Sequence, residues 1–125
     1  MFGWDESQDA HAQVYGDQQH EAKFSHEVVA GAAAFEGFKI FEDRQRKEGK
    51  PVSHAFAKEL LAGVVGGEID KLAETKGMNE YDKIQAHRHA KKNAEDMYDQ
   101  HYIQNQGADQ YDPNQYGAPD RFGGY

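Results

Sequence analysis

The sequence contains no cysteine among its 125 residues. Disulfide bonds, thiol catalysis and zinc sites built on cysteine are therefore excluded. The longest weakly apolar run, residues 28–35, is far short of the roughly 20 residues that span a bilayer. The first ten residues have neither a basic start nor an apolar stretch, so they do not resemble a secretory signal. From these absences we expect a cytoplasmic protein with no membrane span.

The chain also lacks an excess of basic residues. Its 14 Lys and Arg are outnumbered by 22 Asp and Glu, which gives a net charge of −8 at pH 7. Residues 1–24 contribute −4 and residues 104–125 contribute −2, so the middle of the chain is nearly balanced. A protein that binds nucleic acid needs a basic face to neutralise phosphates. The sequence therefore predicts no nucleic-acid partner.

Three amphipathic segments in a row are the main feature that is present. The spacing of apolar residues predicts helices over about 25–47, 53–76 and 79–104. Ser25 and Ser53 stand where N-caps are expected, and Gly49 and Gly77 stand where helices end. Because the connections are only a few residues long, consecutive helices should be antiparallel neighbours. The predicted fold is all-α, a small three-helix bundle with flexible N- and C-terminal tails.

The flanks of this helical domain differ from it in composition. We predict a polar N-terminal arm over residues 1–24, a helical domain over 25–104 and a disordered Gly/Tyr/Gln-rich tail over 105–125. The first predicted helix carries apolar residues on two sides of its surface. A thin bundle of this kind is completed when the second apolar side packs against another copy. We therefore expect a possible homo-oligomer.

Small residues recur four positions apart in the first two predicted helices. The pairs are Ala30 with Ala34, Ala33 with Gly37, and Gly63 with Gly67. This spacing lets helix backbones approach closely, and the charged flanks favour close packing in water over packing in lipid. Glycine inside a helix costs about 1 kcal/mol relative to alanine. The spacing therefore predicts close helix–helix contacts, and Gly63, Gly66 and Gly67 together mark a soft or tightly contacted place in the second predicted helix.

Seven histidines raise the question of a metal or haem site. His87 and His89 are two residues apart, so on a helix their side chains point about 200° away from each other. The His-Glu-x-x-His pattern of zinc proteases is also missing, because Ala30 stands where the second histidine after His26 should be. No Glu-x-x-His pair of the di-iron bundles occurs. The sequence thus offers no local metal motif.

One group of polar residues falls on apolar helix faces. Glu68 lies inside the apolar arc of the second predicted helix, and folding that helix back on the third sets it level with His87. Counting positions outward from the turn near Gly77 in the same way sets His54 level with His101. A buried carboxylate must be paired or protonated, and an imidazolium is a suitable partner. We predict a Glu68–His87 contact within the bundle and His54 near His101 at its open end.

These four residues have two interpretations. They are either satisfied polar groups that fix helix register, or they form a ligand or metal pocket or a pH-sensitive switch. In the second case zinc, iron or haem would bind through the histidines. Otherwise no cofactor is expected. An enzyme with Glu68 and His87 as an acid–base pair is a third hypothesis, although no recognisable substrate site accompanies that pair.

The same stretches carry a resemblance to a known family. Ser-His-Glu-Val-Val-Ala-Gly-Ala-Ala-Ala-Phe-Glu-Gly at 25–37 and Ser-His-Ala-Phe-Ala-Lys-Glu-Leu-Leu-Ala-Gly at 53–63 closely resemble the fungal CipC-like antibiotic-response proteins. Glu-Ile-Asp-Lys-Leu-Ala-Glu-Thr-Lys-Gly at 68–77 is similar as well. The resemblance implies a fungal, cytoplasmic, stress-associated protein and carries over no catalytic residue. We therefore expect a non-enzymatic protein that acts through binding or self-association, with a metal- or small-ligand-binding bundle as the alternative.

Overall fold

The computed structural model describes residues 3–16 and 25–122 of the chain. Residues 1–2, 17–24 and 123–125, which belong to the two predicted tails, lie outside the described residues. The described elements are all helical: α1 (Trp4–Gly16), α2 (His26–Glu48), α3 (His54–Thr75), α4 (Glu80–Tyr98), a π-helical turn (Asp99–Asn105) and a 3-10 turn (Asp120–Phe122). The all-α class is confirmed. The count of three helices is wrong, because the predicted N-terminal arm contains α1.

Local signals set the bounds of α2 and α3. The Ser25 hydroxyl accepts a hydrogen bond from the backbone N–H of Val28, and the Ser53 hydroxyl accepts one from Phe56, each at 3.2 Å. Each bond satisfies an N–H group that the first helical turn leaves without a partner. At the other end of α2, Gly49 adopts a left-handed conformation with φ of 69°. The predicted caps are therefore the ones used.

Helix α2 lies at the centre of the molecule. It runs parallel to α4, since the contact of His26 with His89 is followed, farther along both helices, by the contact of Phe38 with Tyr98. Helix α3, which lies between them in the chain, runs antiparallel to both, as the short connections predict. The buried residues of α2 cover more than one side and include a continuous run from Val29 to Phe35. Such a helix needs partners on both sides.

Helix α1 supplies the second partner of α2. The Trp4 ring packs on Phe38 with 5.1 Å between ring centroids, and its indole N–H donates a hydrogen bond to the backbone oxygen of Met97 at 3.2 Å. His11 packs on Phe35, one turn earlier in α2 than Phe38. The apolar side of α2 from which we expected a dimer is thus covered within the chain. The oligomeric state itself stays a prediction.

The C-terminal segment, residues 106–122, packs against the helices. Tyr111 is fully buried, and it exchanges two backbone hydrogen bonds with Val52, of 2.8 and 2.9 Å. Phe122 contacts Trp4 with 5.5 Å between ring centroids. The sequence predicted a disordered tail here. Composition misses this packing because a few spaced aromatic rings find places in a core that the helices have already formed.

The two small-residue pairs that contain glycine have different outcomes. A Cβ atom added at Gly37 would lie 2.6 Å from Val65 Cγ2 and 2.9 Å from Val65 Cα, so α2 and α3 touch closely at this point. A Cβ atom at Gly63 or Gly67 would meet open space. The predicted close contact is therefore confirmed at Gly37. For Gly63 and Gly67 the tightly contacted alternative is wrong, and the soft place in the helix stays a prediction.

In the part of the chain that the structure describes, no helix has both the length and the apolar character needed to cross a membrane.

Candidate functional site

Glu68 and His87 have different partners in the structure. Glu68 is buried, as predicted, and accepts a hydrogen bond from the Tyr15 hydroxyl at 3.4 Å. His87 Nε2 lies 2.8 Å from Asp70 Oδ1, and this bond holds the pKa of the Asp70 carboxyl below its usual range. Residues 68 and 70 point about 200° apart on α3, so only Asp70 reaches α4. The predicted Glu68–His87 contact is not formed, and Glu68 faces α1 instead.

His54 and His101 both hold the C-terminal segment, at different places. His54 Nδ1 lies 2.7 Å from the Tyr98 hydroxyl and His54 Nε2 lies 2.8 Å from the backbone oxygen of Ala108. His101 Nε2 lies 2.7 Å from the backbone oxygen of Gly117. No hydrogen bond or ring contact joins the two histidines in the described structure. The four predicted residues therefore do not line one pocket.

A buried carboxylate that the sequence reasoning missed organises this end of the molecule. Glu42 of α2 is 0% exposed and accepts hydrogen bonds from the Tyr111 hydroxyl at 2.7 Å, from the Tyr102 hydroxyl, and from Arg46 Nε at 3.2 Å. The sequence does carry a signal. Continuing the apolar stripe of Phe35 and Phe38 by one helical turn reaches position 42.

Arg46 extends this network to the C-terminal segment. Its guanidinium donates hydrogen bonds to the backbone oxygens of Pro113 and Tyr116, each at 3.0 Å. Burial raises the pKa of the Glu42 carboxyl, although the hydroxyls of Tyr102 and Tyr111 act in the opposite direction. Burial, and then the Glu42 charge, raise the pKa values of both tyrosines. The network thus holds the C-terminal segment against α2. The polar atoms of the network point toward one another in the interior.

A second polar group lies on the surface where α2 begins. His26 and Glu27 form the first turn of α2, directly after the Ser25 cap, and His89 approaches them from α4. One ligand atom of each residue lies within 4.8 Å of the others. We name these three residues the His–Glu–His cluster. A search for local motifs missed it because the second histidine comes from a different helix.

Asp82 borders the His–Glu–His cluster from one side. Its Oδ1 atom lies 3.8 Å from His26 Nδ1. The rings of His26 and His89 are stacked, with 5.4 Å between centroids and 6° between planes. His26 therefore lies between a carboxylate and a second imidazole.

An apolar groove runs between α3 and α4. We name it the α3–α4 groove, and its lining is Ala62, Val65, Gly66, Ile84, His87, Arg88 and Lys91. Its volume is about 320 Å³. Ile84 is 54% exposed, and Tyr81, one turn earlier on α4, is also exposed. The groove thus combines small and apolar side chains with two cations along its α4 edge.

A comparison with protein families decides the affiliation of the chain. The family described as virulence factor CipC-like matches residues 10–101. The chain belongs to this family. The resemblance seen at 25–37 and 53–63 is thereby confirmed. Comparisons with curated proteins and with solved structures gave no match.

The CipC-like match covers α2, α3 and α4 and reaches back into α1. Glu42, Arg46 and the whole His–Glu–His cluster lie within it. Tyr111 and the backbone oxygens that Arg46 binds lie beyond its end. In this CipC-like chain the Glu42 network therefore joins the matched helices to a segment outside the match.

Proposed function

We propose that this CipC-like protein serves non-enzymatically in a stress or antibiotic response, by binding an acidic amphipathic helix of a partner protein. The binding surface is the α3–α4 groove. The observation that carries the proposal is the combination of an apolar lining with Arg88 and Lys91 in a chain whose net charge is −8.

The apolar part of the groove suits a helix. Amphipathic helices commonly lay their apolar face into a groove between two helices of the receptor. Val65 and Ala62 form part of the lining from α3, and Ile84 stands over half exposed on α4. Covering Ile84 would remove apolar surface from water, which is favourable by about 25 cal/mol per Å².

The charges at the groove suit an acidic partner. Arg88 and Lys91 lie along its α4 edge, and no carboxylate is among the lining residues. The acidic face of a second copy is a poorer match, because the exposed face of α1 with Asp5, Glu6 and Asp9 carries no apolar side chain larger than an alanine. An apolar stripe flanked by glutamates on a different protein fits both features of the groove.

A designed helical peptide of leucine and glutamate, labelled with a fluorophore, tests the proposal by anisotropy titration. We expect saturable binding that weakens at least about fivefold in the Lys91→Glu variant, since a cation at the contact becomes an anion. Lys92→Glu is the matched control. It makes the same charge change at the adjacent position of α4, outside the groove.

Two results would overturn this function. The first is equal weakening by Lys91→Glu and Lys92→Glu, or equal binding of a peptide of leucine and lysine. Either result would show that the peptide does not bind specifically in the α3–α4 groove. The second comes from sedimentation of the protein over a range of concentrations. A dimer that Lys91→Glu dissociates would assign the groove to a second copy.

A further inference from the structure

We propose that the His–Glu–His cluster of His26, Glu27 and His89 binds a divalent transition-metal ion of the zinc class. The site is separate from the α3–α4 groove and shares no residue with it. Its three ligand atoms already lie within 4.8 Å of one another across two helices.

Side-chain rotations must close this geometry, and they must turn at least one of the two stacked rings so that the nitrogen lone pairs of His26 and His89 meet at the ion. Zinc binds histidine nitrogen and carboxylate oxygen at about 2.0–2.2 Å, so ligand atoms of a tetrahedral site lie about 3.4 Å apart. His26 and His89 are partly exposed and Glu27 is exposed, so their rotamers can adjust without displacing core residues. The backbone that carries His26 and Glu27 is fixed by the Ser25 cap at the start of α2.

Asp82 supplies an independent indication of a ligand at this place. A histidine that binds a metal usually directs its second ring nitrogen at a carboxylate, which fixes the ring and raises its basicity. His26 Nδ1 lies 3.8 Å from Asp82 Oδ1, which is longer than a hydrogen bond. Rotation of the His26 ring toward Asp82 would form this bond and leave Nε2 for the metal. The charges of Asp82 and Glu27 also offset the positive end of the α2 dipole, which by itself disfavours a cation.

The donor set determines the class of ion. Two imidazoles and one carboxylate suit zinc and its neighbours, whereas magnesium and calcium prefer oxygen ligands alone. Three protein ligands leave one position of a tetrahedral ion for water. An ion held in this way would tie the first turn of α2 to the middle of α4.

The test uses the full chain and measures Zn²⁺ affinity by competition with a chromophoric chelator. We expect His89→Gln to weaken Zn²⁺ binding at least about tenfold, because it removes a ligand. The matched control is His87→Gln, which removes an imidazole from the same helix two residues away, where it is bonded to Asp70. That variant should keep the affinity of the unmodified protein. Asp82→Asn should weaken binding about tenfold through the orientation of His26.

Co²⁺ provides a second readout, because its visible absorption reports tetrahedral coordination and should be lost in His89→Gln. Glu27→Gln, a change at an exposed position, repeats the test if His89→Gln fails to fold. The proposal is overturned if the unmodified protein shows no saturable binding. It is also overturned if His87→Gln weakens Zn²⁺ binding as much as His89→Gln, or if neither variant changes it, since the ion would then be held elsewhere.

Discussion

The Glu42 carboxylate accepts hydrogen bonds from α2 itself, from the π-helical turn and from the C-terminal segment. A charge removed from water in this way is costly unless its partners are retained. Each donor to Glu42 therefore contributes more to the free energy of unfolding than a hydroxyl on the surface. Tyr111 and Tyr116 allow this difference to be measured with the same chemical change.

Tyr111→Phe should lower the free energy of unfolding by about 1.5–3 kcal/mol at pH 7, the usual contribution of a hydrogen bond to a charged group. Tyr116→Phe should change it by less than about 0.5 kcal/mol, because the Tyr116 hydroxyl makes only a long, exposed bond to Asp109. Urea unfolding of both variants measures the difference. Equal losses of unfolding free energy would show that a hydrogen bond to Glu42 contributes no more than one on the surface.

The same comparison has a predicted pH dependence. Because the pKa of the Glu42 carboxyl is raised, the native state holds this proton more tightly than the unfolded chain does. The corresponding stability is fully present below the ordinary glutamate pKa and is lost as the pH rises through the folded pKa. Removal of the Tyr111 hydroxyl should raise this pKa further. The cost of Tyr111→Phe should therefore be smaller near pH 4 than at pH 7.

At the scale of the elements, the contact of α2 with α3 depends on one glycine. Gly37 lies against the backbone of Val65, whereas Gly63 on the same pair of helices faces open space. Gly37→Ala should destabilise the protein by about 1–3 kcal/mol through overpacking. Gly63→Ala should stabilise it by roughly 0.5–1 kcal/mol through helix propensity alone. Thermal unfolding measures both, and shifts of the same sign would contradict the assigned contact.

The helices that could be predicted from the sequence are those with complete local signals. Ser25, Ser53 and Gly49 cap α2 and α3 as the pattern indicates, because capping uses backbone groups within a few residues. Helix α1 lacks a complete set of such local signals. Its apolar residues, including Ala10 and Val14, are buried mainly because α2 offers a second side to cover.

The residues that the sequence could not place are those fixed by contacts between distant elements. The sequence places Glu68 in the interior correctly but does not give its partner, because the composition of residues 1–24 predicts a polar arm where α1 lies. The spacing of His87 and His89 excludes a chelating pair on one helix, and the neighbour of His89 is His26 on another helix. Spacing along one helix gives the face of a side chain and leaves its partner undetermined.

On the scale of the whole molecule, the C-terminal segment closes the fold. Removing residues 108–125 would take Tyr111 from Glu42 and two backbone oxygens from Arg46. We expect the free energy of unfolding to fall by at least about 3 kcal/mol, as when a buried charge loses its partners. Arg121→Gln, which breaks an exposed pair with Asp5, should cost no more than about 1 kcal/mol. Urea unfolding of the two variants distinguishes closure by the buried network from closure by surface charge.

The hydrogen bond from Trp4 to Met97 joins residues 93 positions apart. During translation α1 leaves the ribosome long before α4 does, so its indole has no final binding place while most of the polypeptide is still being made. Contacts of this range form slowly, because a long loop must close first. Trp4 therefore waits for its partner until nearly all of α4 has been made, and a chaperone can act on this side chain during that time.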